Sequence, residues 1–121
     1  MAENRQVRGR DVDAPVQHVT IDGQSYEMRF DNRAARVAED VYEQQYGMDK
    51  GYYDILAEMA RKKHRAIEAV VYGAMVSGGH DMDWAEFDAK FTLGSLDAVR
   101  EAIQKALIES LPDDDGNAKN G

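Results

Sequence analysis

The segment VTIDGQSYEMRFDNRAARVAEDVYEQQY, which runs from Val19 to Tyr46, predicts two short strands, a tight turn and a helix in direct succession. Asp22-Gly23 separates two runs of alternating apolar residues, and Asp-Gly supplies the positive φ that a two-residue hairpin turn requires. We therefore expect Gln17–Ile21 and Ser25–Phe30 to pair as an antiparallel hairpin.

The hairpin should have one apolar face. Tyr26, Met28 and Phe30 alternate with polar residues along the second strand, and Val19 and Ile21 match them on the first. Because a two-stranded hairpin is at best marginally stable alone, this face needs a second layer, and the sequence downstream offers only helices.

Apolar residues at helical spacing predict five helices after the hairpin. The first is about Asn32–Tyr46, capped by Asp31 and ended by Gly47, and the second is opened by Asp49 to Gly51 and carries Tyr52 to Met59. The third is about Arg65–Val76 and is ended by Gly78-Gly79. The fourth is a short helix that is capped by Asp83, with Glu86 three residues on, and carries Trp84, Phe87 and Phe91; the fifth runs from a Ser95 cap to Leu111 and is stopped by Pro112. The sequence thus predicts an α+β fold, an N-terminal antiparallel β-hairpin packed on a bundle of four to five short α-helices. The predicted core is Ile21, Tyr26, Met28, Phe30, Val37, Val41, Leu56, Ile67, Val70, Val71, Phe87, Val99, Ile103 and Leu107.

The chain of 121 residues has the length of one domain. Residues 1–15 mix charged and small residues without a period and are expected to form a flexible arm before the single α+β domain at 16–111. Residues 112–121 carry DDDGNAKNG, in which one alanine is the only apolar residue, and are expected to form a disordered polar tail.

Composition narrows the function classes. The chain has no cysteine, which removes disulfides and thiolate metal sites, and no apolar run long enough to span a bilayer. Fifteen basic and 23 acidic side chains give a net charge of −8, which opposes binding to phosphate backbones and anionic lipid. We expect a soluble protein of the cytoplasm that binds neither nucleic acid nor membrane.

Catalytic and metal-binding motifs are not found in the sequence. No serine has the setting of a nucleophile elbow, and no two of the three histidines have the i, i+4 spacing of a helical metal site. The segment His80 to Asp83 offers potential cation ligands, but a loop entering a helix explains the same residues. We therefore expect no enzyme activity, cofactor or metal.

The order of these elements resembles the tail assembly chaperones of long-tailed, siphophage-type bacteriophages. The resemblance lies in VTIDGQSYEMRFDNRAARVAED, with its layout of strand, Asp-Gly, strand and Phe-Asp-x-Arg-Ala-Ala, and then in ILAEM, IEAVVYGAM and LDAVREAIQKAL. It covers residues 16–111, and its motifs are structural.

The resemblance implies a cytoplasmic chaperone, absent from the mature virion, that binds the tape measure protein, keeps it soluble and helps recruit tail tube subunits. Such a protein needs an exposed apolar surface for helical client segments. The basic run Arg61-Lys62-Lys63-His64-Arg65 either completes a helix end or meets an acidic partner. Tyrosines at helical spacing are either core or contact residues. The candidate partner-binding residues are Tyr42, Tyr46, Tyr52, Met59, Arg61, Lys62 and Lys63.

Two further expectations follow from the resemblance. Such chaperones can act as homo-oligomers along their client, and many have a longer product made by ribosomal frameshifting. Ala118-Lys119-Asn120 can be encoded by GCA-AAA-AAC, which contains the slippery heptamer A-AAA-AAC. The nucleotide sequence of the gene tests this hypothesis.

Two other functions are compatible with the sequence. A structural tail or connector subunit would remain in purified particles, whereas a chaperone would not. An acidic mimic of nucleic acid would gather its carboxylates on one face, but acids and bases alternate along these helices, so we rank it last.

Overall fold

The hairpin forms as its turn residues require. The computed structural model describes residues 16–110, without the side chains of residues 93, 98 and 105–110. Strands β1 (Val16–Ile21) and β2 (Gln24–Arg29) pair antiparallel, with Ile21 opposite Gln24. Between them Asp22 and Gly23 have φ values of 54° and 78°, the two positive values of a type I′ turn. The predicted hairpin is confirmed, and both strands begin one residue earlier than expected.

Five helices follow the hairpin in the part of the chain that the structure describes. They are α1 (Asn32–Tyr46), α2 (Tyr52–Ala60), α3 (His64–Ser77), α4 (Trp84–Lys90) and α5 (Leu93–Ser110). The predicted α+β architecture, an N-terminal hairpin on a helical bundle, is confirmed. The predicted arm at 1–15 and tail at 112–121 lie outside the described residues.

Side-chain and glycine caps set three of the helix ends. Asp31 Oδ1 accepts a hydrogen bond of 3.0 Å from the Ala34 N–H at the start of α1, and Gly47 ends that helix with φ 68°. Asp83 Oδ1 caps α4 in the same way, accepting from the Glu86 N–H at 3.1 Å. These three predicted caps are therefore confirmed.

The predicted start of the last helix was wrong. Helix α5 begins at Leu93, so Thr92 precedes it and Ser95 lies inside its first turn. Ser95 Oγ accepts a hydrogen bond of 3.2 Å from the Thr92 N–H. This is the backward bond that the third helical residue makes in a capping box, so Ser95 supports the cap from inside the helix.

The core lies between one face of the hairpin and helices α1, α3 and α5. Helix α3 packs most extensively on α1 and also contacts β2, while α5 lies against β1. Of the predicted core, ten residues are buried: Ile21, Tyr26, Met28, Phe30, Val41, Val70, Val71, Phe87, Val99 and Ile103. Val37, Leu56 and Ile67 are only half-buried, which corrects their assignment, and the side chain of Leu107 lies outside the description.

Two glycines of α3 and its end allow close backbone approach. A Cβ on Gly73 would collide with the main-chain oxygen of Ala34 in α1, and one on Gly78 would collide with that of Glu27 in β2. His80 then reaches the edge of the same strand, where its Nε2 accepts a hydrogen bond of 3.1 Å from the Glu27 N–H. The end of α3 and the segment after it therefore cover the middle of the β2 edge.

Candidate functional site

An open apolar groove lies where α2, the start of α3 and α5 meet. Its volume is about 600 Å³, within the range of ligand-binding clefts. Most of the side chains that line it are apolar, and two of its rim residues are cations. The groove is lined by Leu56, Met59, Ala60, Lys62, Ile67, Leu96, Arg100, Ile103 and Gln104.

The turn between α2 and α3 places one of these cations at the rim. The Lys62 N–H donates to the Met59 carbonyl at 2.8 Å, and the Lys63 N–H donates to the Glu58 carbonyl at 3.1 Å. This pair of bonds is the Schellman arrangement, in which the left-handed residue is usually glycine. Here that residue is Lys62, with φ 65°, and its exposed side chain lines the groove.

Helix α5 supplies the second cation and the opposite apolar wall. Leu96, Arg100 and Ile103 recur at spacings of four and three residues and so share one face of the helix. Arg100 Nη2 pairs with Asp97 Oδ1 at 3.0 Å, but both side chains are largely exposed. An exposed pair of this kind contributes little to stability, so Arg100 can turn to a partner at low cost.

A buried carboxylate fixes the helix that carries Leu56 and Met59. Glu58 Oε1 accepts a hydrogen bond of 2.9 Å from the Tyr42 hydroxyl group and one of 3.2 Å from Arg65 Nε. Its Oε2 lies 2.9 Å from Lys50 Nζ. The hydrogen bonds from Lys50, Tyr42 and Arg65 lower the pKa of Glu58 to about 2, although burial opposes them. This network joins α1, α2 and α3.

A second buried carboxyl group lies on α3 and is held differently. Glu68 is 3% exposed, its Oε1 lies 3.4 Å from His64 Nε2, and its Oε2 receives no hydrogen bond. Burial raises the pKa of Glu68 to about 8, and the neighbouring Asp88 carboxylate adds to the effect. Both causes favour the neutral acid over the carboxylate at this position.

The structure divides the seven predicted partner-binding residues into four groups. Met59 and Lys62 line the groove, and Arg61 and Lys63 are exposed in the turn beside it. Tyr42 is fully buried, and Tyr46, half-buried, packs edge-on against it at a centroid distance of 5.3 Å. Tyr52 is half-buried, and its N–H donates to Glu39 Oε2 at 2.8 Å. Their assignment to a partner stays a prediction.

The sequence prediction gave several of the groove residues a different role or no role. The sequence prediction placed Leu56, Ile67 and Ile103 in the core and did not single out Arg100 or Gln104. An apolar stripe shows which face of a helix turns inward, but it does not show how far the next helix covers that face. The sequence feature that could have indicated the groove was the basic residue Lys62, which lies three positions after Met59 at the end of an apolar helix.

The described residues contain no group of three or more histidine, aspartate or glutamate side chains placed to hold a metal ion. No helix within 16–110 combines the length and apolarity needed to cross a membrane. Comparisons of the chain with family models, with curated proteins and with solved structures found no match. The groove and the sequence motifs are therefore the features of this chain that bear on its function.

Proposed function

We propose that the protein is a tail assembly chaperone of a long-tailed bacteriophage, which binds the tape measure protein, keeps it soluble and helps recruit tail tube subunits. The observation that carries the proposal is the open groove between α2, α3 and α5, where apolar side chains stand at a solvent-facing surface. The resemblance in the hairpin, in ILAEM, in IEAVVYGAM and in LDAVREAIQKAL supports the same function.

The groove suits the physical task of such a chaperone. A long helical protein that has not yet been enclosed by its tube exposes apolar stripes, and these aggregate unless another apolar surface covers them. Leu56, Ile67 and Leu96 are each half-buried, so the free protein leaves part of their surface available for a client. A helix laid into a groove of this kind is a common mode of recognition.

The charge of the chain supports solubility of the complex. A net charge of −8 is distributed over 121 residues, and it makes the covered client part of a strongly charged particle. Such particles repel one another and resist precipitation. The same charge disfavours binding to the phage genome, so the chaperone would remain available to the client.

Co-expression tests the proposal. The chain should be produced together with the tape measure protein of the same genome, and with an unrelated coiled-coil protein of similar length as a control. We expect the tape measure protein to move from the pellet to the soluble fraction and to co-purify with the chain, and we expect the control protein to do neither. Unchanged solubility and the absence of a complex would overturn the proposal.

Purified particles give a second test. A chaperone should be present in infected cells and absent from finished virions, as measured by mass spectrometry of both. A constant copy number in the virion would instead identify a structural tail or connector component.

A further inference from the structure

We infer that the groove binds one amphipathic helix whose apolar stripe is flanked by carboxylates, and that Lys62 and Arg100 select those carboxylates. The inference deepens the proposed function, on which it rests, by identifying the client-binding face and the chemistry of the client segment. It depends on the groove lining, on the placement of the two cations and on the unusual backbone at Lys62.

The spacing of the lining residues suits a helical occupant. Leu96 and Ile103 are seven residues apart on α5, which is two helical turns and about 10 Å. Leu56 and Met59 form a shorter apolar pair on α2. A helix that presents apolar residues at i, i+3, i+4 and i+7 covers the same length, so its stripe matches the trough between the two walls.

The two cations belong to different walls. Lys62 follows the end of α2, and Arg100 lies on α5. Both are exposed, in a chain whose overall charge is −8, so they form a local exception to the acidic surface. An amphipathic helix can present carboxylates on both sides of its stripe, whereas a fatty acid presents a single carboxylate at one end. The arrangement therefore favours the helix.

The backbone at Lys62 adds an independent argument. A left-handed conformation is unfavourable for an L-amino acid other than glycine, and glycine is the usual residue at this position of a helix end. Lys62 nevertheless occupies it with φ 65°. A residue held in a costly conformation beside a groove points to a role for its side chain, here the ammonium group at the rim.

Peptide binding to the full-length protein tests the inference. The probe is a fluorescent helical peptide of about 20 residues, with leucine at i, i+3, i+4 and i+7 and glutamate on both flanks. The matched peptide carries lysine at every flanking position. Fluorescence anisotropy should show that the glutamate peptide binds at least tenfold more tightly than the lysine peptide. Equal binding of the two would overturn the selection of carboxylates.

Matched variants locate the site. Lys62→Gln and Arg100→Gln should each weaken binding of the glutamate peptide about fivefold, because each removes one rim charge. Arg36→Gln removes an exposed cation of α1 that does not line the groove, and it should change binding less than twofold. Asp97→Asn releases Arg100 from its pair and should strengthen binding. An equal effect of Arg100→Gln and Arg36→Gln would overturn the assignment of the site.

Other occupants and the proposed function are tested separately. Displacement of the peptide by micromolar dodecanoate would overturn the helix as the occupant and favour an anionic amphiphile. Tighter peptide binding by a variant that lacks residues 1–15 would assign the groove to this chain's own arm. If the tape measure protein co-purifies equally with the wild type and with the Lys62→Gln, Arg100→Gln double variant, the groove inference is wrong and the chaperone proposal stands.

Discussion

The Tyr42 hydroxyl group donates a hydrogen bond of 2.9 Å to Glu58 Oε1, and both side chains are buried. This bond joins α1 to α2. Because Glu58 has little contact with water, its charge depends on the few donors around it. Removing one donor leaves part of the carboxylate unsatisfied, which costs more than the hydrogen bond itself contributes.

Tyr42→Phe should therefore lower the free energy of unfolding by about 1–2 kcal/mol. The phenylalanine ring fills the same space, so the loss reports the missing donor rather than a cavity. Urea denaturation at neutral pH measures it, and Tyr53→Phe on the exposed face of α2 is the control, because Tyr53 is 69% exposed. Equal midpoints for the two variants would show that the bond does not stabilise the fold.

The same network predicts how the stability of the folded protein decreases at low pH. The folded-state pKa of Glu58, about 2, is below the ordinary value of 4.5, so its contribution is present above pH 4.5 and is lost as the pH falls toward 2. Glu58→Gln should remove this part of the acid dependence and also lower stability at neutral pH. Urea midpoints of both proteins between pH 2 and 6 test the expectation, which fails if the two curves stay parallel.

The contact between α1 and α3 predicts a second effect on stability. Gly73→Ala places a methyl group against the backbone of Ala34 and Ala38, and backbone cannot move aside as the end of a side chain can. We expect a loss of about 2–3 kcal/mol from overpacking. Gly94→Ala is the matched control, because the nearest atom to its new Cβ is Thr92 Oγ1 at 3.7 Å. It should raise stability by about 0.5–1 kcal/mol, and thermal melts of both variants distinguish the two cases.

The features that the sequence predicted best are those decided by neighbouring residues. Asp22-Gly23 determines its own turn, Asp31 and Asp83 cap the helices that follow them, and Gly47 ends α1. Each depends on backbone chemistry within about four residues. The order of the elements follows from the same local signals, and so the fold class could be predicted without any long-range information.

The candidate site depended on packing, which the sequence shows less directly. Leu56 and Ile67 have the spacing of core residues, yet α5 leaves them half-buried beside the groove. Glu58 looks like a surface residue of α2, but Tyr42, Lys50 and Arg65 come to it from three other parts of the chain. Neither result could be read from helical periodicity, because both depend on how α2, α3 and α5 are placed in space.

Glu68 predicts an unusual dependence of stability on pH. Its folded-state pKa of about 8 is above the ordinary value of 4.5, so the folded protein retains a proton that the unfolded chain has lost between these values. Stability should therefore decrease as the pH rises from 4.5 to 8, with a slope of at most about 1.4 kcal/mol per pH unit, the limit for one proton. Chemical denaturation across this range measures the slope.

Variants of Glu68 and of Asp88 show whether the slope of stability against pH comes from Glu68. Glu68→Gln is neutral at every pH and should flatten the profile, so that the variant exceeds the wild type in stability near pH 8. Asp88→Asn removes the neighbouring carboxylate and should reduce the slope without abolishing it, since burial remains the larger cause. A slope that persists unchanged in Glu68→Gln would assign the effect to other groups.

The edge of β2 predicts the response of the hairpin to proline. Glu27→Pro removes the N–H that donates to His80 Nε2 and places a ring where the end of α3 approaches the strand. We expect the domain to lose its cooperative thermal transition. Glu27→Ala keeps the N–H and loses only a 3.5 Å pair with Arg29, so it should change stability by less than about 0.5 kcal/mol. A cooperative melt of the proline variant near the wild-type temperature would contradict this.

Lys62 predicts opposite changes in stability and binding from one substitution. Lys62→Gly relieves the left-handed backbone at φ 65° and should raise the free energy of unfolding by about 1 kcal/mol. Lys63→Gly is the control: Lys63 has φ −75° and ψ 124°, an extended conformation open to any residue, so the variant should lose stability through the greater entropy of its unfolded chain. Urea midpoints give both values.

Because Lys62→Gly also removes a rim cation, the more stable protein should bind the glutamate-flanked peptide less well. A lysine kept only for the fold would show the reverse, a loss of stability with unchanged binding.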